Sequence, residues 1–528
     1  MSRYLLTSFC WRRLGGAGVA VLLAACASGP DYRRPGLAVP GSYAVSPVEV
    51  SANGATGELA QRYEVAQDIQ ANWWTLFQSP SLNSLIEQAF TNNPGIESAD
   101  AALRAAQEAV YAQQGYFFPT VQAGYSPSRT KLAGNLGGNS PGVQGNGTVI
   151  STTQGTPASE GGTAPFNAPV IYNFHTAQLT VGFTPDIFGG NRRQLESLQA
   201  QQQAQRFQLE AAYITLASNI AAAAFQDALL RRQISLVKDM IAANERASVL
   251  ADRQLHAGYI SRVEFAAQLS TLAQTRQLLP PLQKQFEQNR DLLRVLAGIR
   301  SDQVAPDFEL DSFHLPDELP LALPSQLVEQ RPDIRMAEEQ LRAASAQVGV
   351  ARAARLPQFS ISGAAGGAAS QFGQMFWNSG KFFDLTANVT QSLFDGGTLK
   401  HHENAANETL RGAVAAYRLT VASAFQNVAD VLHALASDGN ALRAARAAHD
   451  AANSSLGLAM QQHAHGYLDR FALISAEQNF RQAELSLAQA QANWLGDTAA
   501  LFQALGGGWW NRKVNGVGGP ANEHQVQR

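Results

Sequence analysis

Two stretches of this chain, about residues 191–255 and 398–462, run on without a single proline. Read as unbroken helices, each would be roughly 95 Å long at 1.5 Å per residue. No compact soluble domain holds helices of that length, so the fold must be elongated. In the second stretch Val414, Val421, Phe425, Val428, Leu432, Leu435 and Leu442 recur in steps of three, four and seven. Leu473, Ala476, Phe480, Ala483, Leu487, Ala490 and Trp494 continue the pattern in the following segment. Apolar residues so spaced form the seam of a coiled coil, and small residues at alternate positions let the helices approach closely. Pro280 and Pro281 mark a kink or break in the corresponding segment of the first half.

The chain is written twice. "NPGIESADAALRAAQEAVYAQQGYFFP" (93–119) aligns with "RPDIRMAEEQLRAASAQVGVARAARLP" (331–357), Pro94 facing Pro332 and Pro119 facing Pro357. "TPDIFGG" (184–190) aligns with "TQSLFDGG" (390–397), and "HAGYISR" (256–262) with "AHGYLDR" (464–470). Duplication on this scale dictates two copies of one structural unit. Each reads helix, strand, strand, long helix, turn, long helix. The spacing between copies shortens between Pro119 and Thr184, locating an insertion in the first copy at 132–165, a Gly-, Ser-, Thr- and Asn-rich loop expected to be mobile and extracellular.

Between the helices lie short alternating runs. Leu179, Val181 and Phe183 interleave with Gln178, Thr180 and Gly182, and Leu385, Ala387 and Val389 with Thr386, Asn388 and Thr390; "TVQAGYS" (120–126) and "FSISGAAG" (359–366) behave alike. Apolar and polar faces alternating in a chain with no transmembrane helix are the mark of a membrane β-barrel. Four strands are too few to close one, since a single-chain barrel needs about eight. Several copies must therefore pool their strands. Tyr116, Phe117, Phe118, Phe188, Phe382, Phe383 and Phe394 flank the strands and suit an interfacial girdle.

The first 26 residues contain both cysteines, which excludes a disulfide framework and a cysteine metal site further on. Arg3, Arg12 and Arg13 precede an apolar run that is too short to span a bilayer and stops at "LAAC" (23–26), the pattern of a secretion signal. That ending resembles the bacterial lipobox, which would make Cys26 the acylated first residue of the mature chain. Ala27 in place of Asp points to the outer membrane. Removing residues 1–25 removes three Arg and no acid, leaving 36 basic against 42 acidic residues. Nothing in that balance suggests nucleic acid.

"TPDIFGGNRRQ" (184–194) has the look of a phosphate-cradling loop, a strand followed by glycines and a helix. The second copy argues against that reading, because phosphate sites rarely come in such pairs and neither copy carries the Lys-Ser/Thr of a Walker loop. Gly189, Gly190, Gly396 and Gly397 are better read as strand-to-helix turns. No catalytic motif is present. Adjacent Glu338 and Glu339 point about 100° apart on a helix and make a poor acid–base pair. His401 with His402, and His463 with His465, lack carboxylate or thiol partners at ligand spacing and read as solvated helix-end residues rather than metal ligands.

Taken with "CASGPDYRRP" (26–35), "NWWTLFQSPSLNSLIEQAF" (72–90), the paired "FGG"/"FDGG" and "GY" turns and "ALGGGW" (504–509), these features make the chain resemble the TolC-like outer-membrane efflux factors, in particular the NodT-type lipoprotein branch. The resemblance runs from Cys26 to about Trp510. It implies a mainly α protein with membrane β: a homotrimer with a twelve-stranded barrel, four strands per chain, and an α-helical periplasmic tunnel. It implies a passive exit duct and no enzyme, no cofactor beyond diacylglycerol and palmitate on Cys26, a periplasmic adaptor of the membrane fusion type and an inner-membrane pump, expected to be RND-type. Gly258, Tyr259, Gly466 and Tyr467 fall at the helix tips that the adaptor would grip. Phe471, Ser475 and Gln478 match the family's aperture positions, and make that gate uncharged. The implied organisation is a signal peptide 1–25, a lipidated extended segment 26–70, a first repeat 71–298, a linker 299–323, a second repeat 324–510 and a polar tail 511–528. A lipid-anchored periplasmic coiled coil is the competing reading, and a type I secretion component a variant of the first. The strands placed identically in both halves favour the channel.

Overall fold

The computed structural model describes residues 29–36, 62–65, 68–131, 141–143, 149–151, 171–300, 303–316, 318–321 and 324–512. Cys26 and the expected signal segment 1–25 lie outside the described residues, as do most of 26–70, of the insertion 132–165 and of the tail 511–528.

Each repeat opens on two helices separated at a proline. Helix α1 (Pro80–Asn92) starts on Ser79, whose hydroxyl accepts from the Leu82 N–H, with Pro80 in the first turn where no N–H is needed. Helix α2 (Pro94–Gly115) follows at once. Strands β1 (Thr120–Lys131) and β2 (Ile171–Phe183) then lead into α3 (Gly190–His256). The return runs as α4 (Arg262–Gln277) and α5 (Leu279–Ala297), broken where Pro280 and Pro281 deprive the carbonyls one turn earlier of their N–H donors. The second repeat gives α6 (Pro324–Gln330), α7 (Pro332–Ala353), β3 (Gln358–Ala369), β4 (Lys381–Thr390) and α8 (Thr398–Ala464). Its return, α9 (Arg470–Ala504), has no proline and is continuous. Helices α3 and α8 are 67 residues each, about 100 Å. No described helix is long and apolar enough to cross a membrane.

Two compact units form, and each draws on both repeats. The first, residues 1–34, 106–202 and 340–413, contains one antiparallel sheet in the order β1–β2–β3–β4. Its register pairs Val121 with Val181, Val181 with Gly363 and Gly363 with Leu385, so odd-numbered residues share one face on all four strands. That face carries Val121, Tyr125, Leu179, Val181, Phe183, Ile361, Phe383, Leu385 and Val389, and all of these but Phe183 are exposed. The opposite face carries Thr120, Gln122, Gln178, Thr180, Ser362, Asp384 and Thr386. The two outer strands, β1 and β4, have no partner on their far edges among the described residues. Of the insertion 132–165 the described residues are a short antiparallel pair, 141–143 with 149–151, a strand pair that its Gly- and Ser-rich composition did not announce.

The second unit, residues 35–105, 203–339 and 414–528, is helical around an aromatic core. Trp73 stacks on Phe502 at 5.3 Å, and Phe77 meets Phe225 at 4.9 Å, which meets Phe313 at 4.8 Å. The "NWWTLF" motif is thus a one-turn plug. The "GGG" of "ALGGGW" turns through three left-handed residues, Gly506, Gly507 and Gly508, and a Cβ on Gly508 would lie 2.5 Å from the Gln70 carbonyl oxygen. The linker 299–323 is more than a connection. Residues 318–321 pair in parallel with 62–65, and Asp307 accepts from both Arg231 and Arg290 beside buried Asp227, whose pKa burial raises against the opposing pull of Arg290 and Arg231.

On α8 the seam residues Val421, Val428, Leu432, Leu435 and Leu442 are buried. Val414 and Phe425 are only half-buried, and the adjacent Tyr417 and Ala424 take the fully covered positions. On α9, Leu473, Ala490 and Trp494 are buried and Ala476, Phe480, Ala483 and Leu487 half-covered.

Candidate functional site

The two strand-to-helix turns answer the question raised by "TPDIFGGNRRQ". The N-terminus of α3 is already occupied: the Asp186 carboxylate accepts from the Asn191 N–H at 3.0 Å and the Arg192 N–H at 2.8 Å. In the second copy Asp395 takes the same role, accepting from Gly397 at 2.8 Å and Leu399 at 2.9 Å. The backbone donors of Leu399 and Gly397 hold its carboxyl below the usual aspartate range. A helix end whose leading N–H donors already bind the chain's own carboxylate places a negative charge where phosphate would have to sit. The cavity beside the first turn, about 310 Å³, has Asp186 as its only charged lining residue. Gly189, Gly396 and Gly397 have φ of 77°, 67° and 90°, the left-handed region that makes glycine necessary. Gly190 does not. It is held instead by close approach, since a Cβ there would lie 3.3 Å from that of Ala353.

Residues 29–32 strap onto the same unit. A Cβ on Gly29 would stand 2.5 Å from the Gly349 Cα of α7, Arg193 donates to Asp31 at 2.8 Å, and the Arg342 guanidinium lies 5.0 Å from the Tyr32 ring centre. The "GPDY" text after Cys26 is therefore a docking sequence.

At the helix tips the two copies close with the same pair of backbone bonds. Gly258 (φ 77°) ends α3, with Tyr259 donating to the Gln254 carbonyl and Gly258 to that of Leu255. Gly466 (φ 79°) ends α8, with Tyr467 donating to Gln462 and Gly466 to His463. Both are Schellman closures. Two residues past each tyrosine a new helix is capped, by Ser261 in a reciprocal box with Glu264 and by Asp469 accepting from the Ala472 N–H. The backbone is thus satisfied internally, while the Tyr259 and Tyr467 side chains are 82% and 85% exposed. His463 is held by the Leu468 carbonyl, with Nδ1 at 2.9 Å from the oxygen.

Phe471, Ser475 and Gln478 share one face of α9, apart from Leu473, Ala476 and Phe480, which pack on Leu456 and Ala459 of α8. Phe471 is half-buried and Ser475 exposed. The Gln478 amide donates to the Asn244 side-chain oxygen at 2.5 Å, and the Asn244 amide donates to the Thr275 hydroxyl at 3.0 Å. Gln478 therefore ties α9 to the α3–α4 hairpin through a buried amide, Asn244, which is 1% exposed. Arg246 with Glu477, Arg232 with Glu484, and Gln233 with Gln489 extend this polar ladder along α3 and α9. The sequence reading missed Asn244 and Thr275. Their signal is an amide at a position where buried Val237, Ala243, Ala247 and Ala251 keep the apolar rhythm.

The profile of the outer membrane efflux protein family matches residues 85–299 and 323–507. The pyoverdine export outer membrane protein OpmQ of Pseudomonas aeruginosa is 26% identical over 500 residues, 94% of this chain and 97% of that protein. The toluene efflux pump outer membrane protein TtgC of Pseudomonas putida is 26% identical, covering 94% and 95%. The solved structure of the outer-membrane channel OprN superposes with a TM-score of 0.76 at 25% identity over 92% of this chain and 100% of that one. Twin repeats, paired turns and a four-stranded sheet with one apolar face thus come together in one lineage, and the chain belongs to the outer membrane efflux protein family, as a passive outer-membrane efflux channel of TolC-like fold.

Proposed function

We propose that three copies of this chain close a twelve-stranded barrel and form the exit duct of a tripartite exporter. The observation that carries this reading is the sheet, whose apolar face is exposed and whose two edge strands lack outer partners among the described residues. An open apolar sheet edge in water invites aggregation, and ring closure removes it. A lipid-anchored coiled-coil spacer has no use for such a sheet. Light scattering of the detergent-purified protein tests the reading: a trimer is expected, and a monomer or dimer would overturn it.

The exposed tips, Gly258–Tyr259 and Gly466–Tyr467, are the surface offered to a periplasmic adaptor that links the duct to an RND-type inner-membrane pump. Phe471, Ser475 and Gln478 form the periplasmic aperture, an apolar and hydrogen-bonding constriction rather than an ionic one. Cys26 carries the lipid, three residues in sequence before Gly29, which packs on α7. Cargo is of the small organic kind named for the pyoverdine and toluene relatives, with selection made upstream of the duct.

A further inference from the structure

We propose that the outward-facing end of the sheet binds the phosphorylated headgroup of an anionic acyl glycolipid in the outer leaflet. The proposal rests on the barrel reading above, in which odd-numbered strand residues face lipid. Charge is distributed across the sheet in an uneven way. Every basic residue of the four strands, Arg129, Lys131, His175 and Lys381, has an odd number and lies on the apolar face. The only strand acid, Asp384, lies on the polar face. All four basic residues also lie toward the hairpin end, away from the helices, so they form a rim beyond the apolar band.

The 3₁₀ turn Phe372–Phe376, between β3 and β4, supplies a second observation. It folds back over the odd-numbered face: a Cβ on Gly367 would strike the Met375 carbonyl oxygen at 2.2 Å, and Phe372 meets Tyr125 at 5.8 Å and His175 at 6.3 Å. Phe372, Phe376 and Trp377 nevertheless remain 55%, 64% and 61% exposed. Aromatic side chains held on a lipid-facing surface, just inside a cationic rim, occupy the depth at which acyl chains give way to headgroups. Arg129 and Lys131 stand on one face of one strand about 7 Å apart. Among the described residues no carboxylate pairs with Arg129, Lys131 or Lys381, while Lys381 donates to Asn378 at 3.2 Å. Cations on an apolar face are costly unless an anion of the membrane itself meets them. Strands β1 and β4 are the two edges, so ring closure brings Lys381 of one copy beside Arg129 and Lys131 of the next.

The test uses full-length protein reconstituted in phosphatidylcholine vesicles that contain either bis-phosphorylated lipid A or its dephosphorylated form, with retained glycolipid per chain measured by mass spectrometry after re-extraction. Preferential retention of the phosphorylated form is expected, weakened about fivefold per cation removed and on the order of a hundredfold in R129Q/K131Q/K381Q. Inorganic pyrophosphate should compete poorly, because acyl contacts with Phe372 and Trp377 are absent from it. Equal retention of the two glycolipids by the wild-type protein overturns the proposal without any variant, and so does an unchanged preference in the triple variant or in singly substituted R129Q and K381Q. Full competition by pyrophosphate would assign the rim to free phosphate and overturn the lipid reading. Failure of the wild type to insert into vesicles would instead overturn the barrel on which the proposal stands.

Discussion

Gln478 and Asn244 offer the sharpest test of the proposed aperture. Their bond is neutral and crosses from α9 to α3, and Asn244 is 1% exposed, so its oxygen has little water to fall back on. Gln268 approaches the same oxygen only at 3.5 Å and replaces the bond poorly. Gln478→Ala should cost about 1–3 kcal/mol, a lost hydrogen bond plus an orphaned buried acceptor. Asn244→Ala, which also loses the contact to Thr275, should cost about the same, because the Thr275 hydroxyl keeps its bond to the Thr271 carbonyl. If opening the duct separates α9 from α3, the pair is present only when closed. The double variant should then reveal a coupling of about 1 kcal/mol, equivalent to about a fivefold rise in the open-to-closed ratio for either single variant. Single-channel recording in planar bilayers reads this ratio directly. Strict additivity of the two substitutions, or open probability unchanged in Gln478→Ala, would refute the latch and leave Gln478 a packing residue.

Other expectations follow from separate parts of the molecule. Burial first, then its contact with Asp497, pushes the Asp438 pKa up to about 6, so its stabilising contribution is full below the unfolded value of about 4 and is lost as pH rises through about 6. Asp438→Asn should flatten melting temperature against pH across that window, and an unchanged slope would count against it. Gly298→Ala should destabilise by several kcal/mol, since φ is 64° and the new Cβ would lie 2.4 Å from the Asn92 carbonyl oxygen; Gly466→Ala, with nothing within 4 Å, should cost only about 1 kcal/mol, and thermal melts compare the two. Tyr467→Ala should leave the melt unchanged yet reduce crosslinking to the adaptor, which equal crosslinking would contradict. Cys26→Ser should abolish incorporation of labelled palmitate, and continued labelling would exclude lipidation at this residue.

Much of this protein can be read from local periodicity alone. Steps of three and four without a proline specify long helices whatever surrounds them, and the two helices ended within two residues of the expected bounds because a Gly at each tip ends a helix by local geometry. Alternation with a period of two likewise specified the apolar face of each strand, and duplication told that each element comes twice. What periodicity does not carry is which neighbour a residue meets. Asp186 and Asp395 stand at different places in their motifs, before and after the phenylalanine, yet both reach a helix N-terminus; only the folded turn makes them equivalent. Asn244 is an ordinary amide until α9 and α4 bring Gln478 and Thr275 to it. The rim of Arg129, Lys131 and Lys381 joins residues some 250 positions apart, and it exists because antiparallel register fixes parity across four strands. The sequence by itself determined the long helices and the faces of the four main strands, since these depend on contacts between near neighbours in the chain. Tertiary structure alone decided which faces meet, because a hydrogen bond or a close approach between distant segments leaves no period behind to be read.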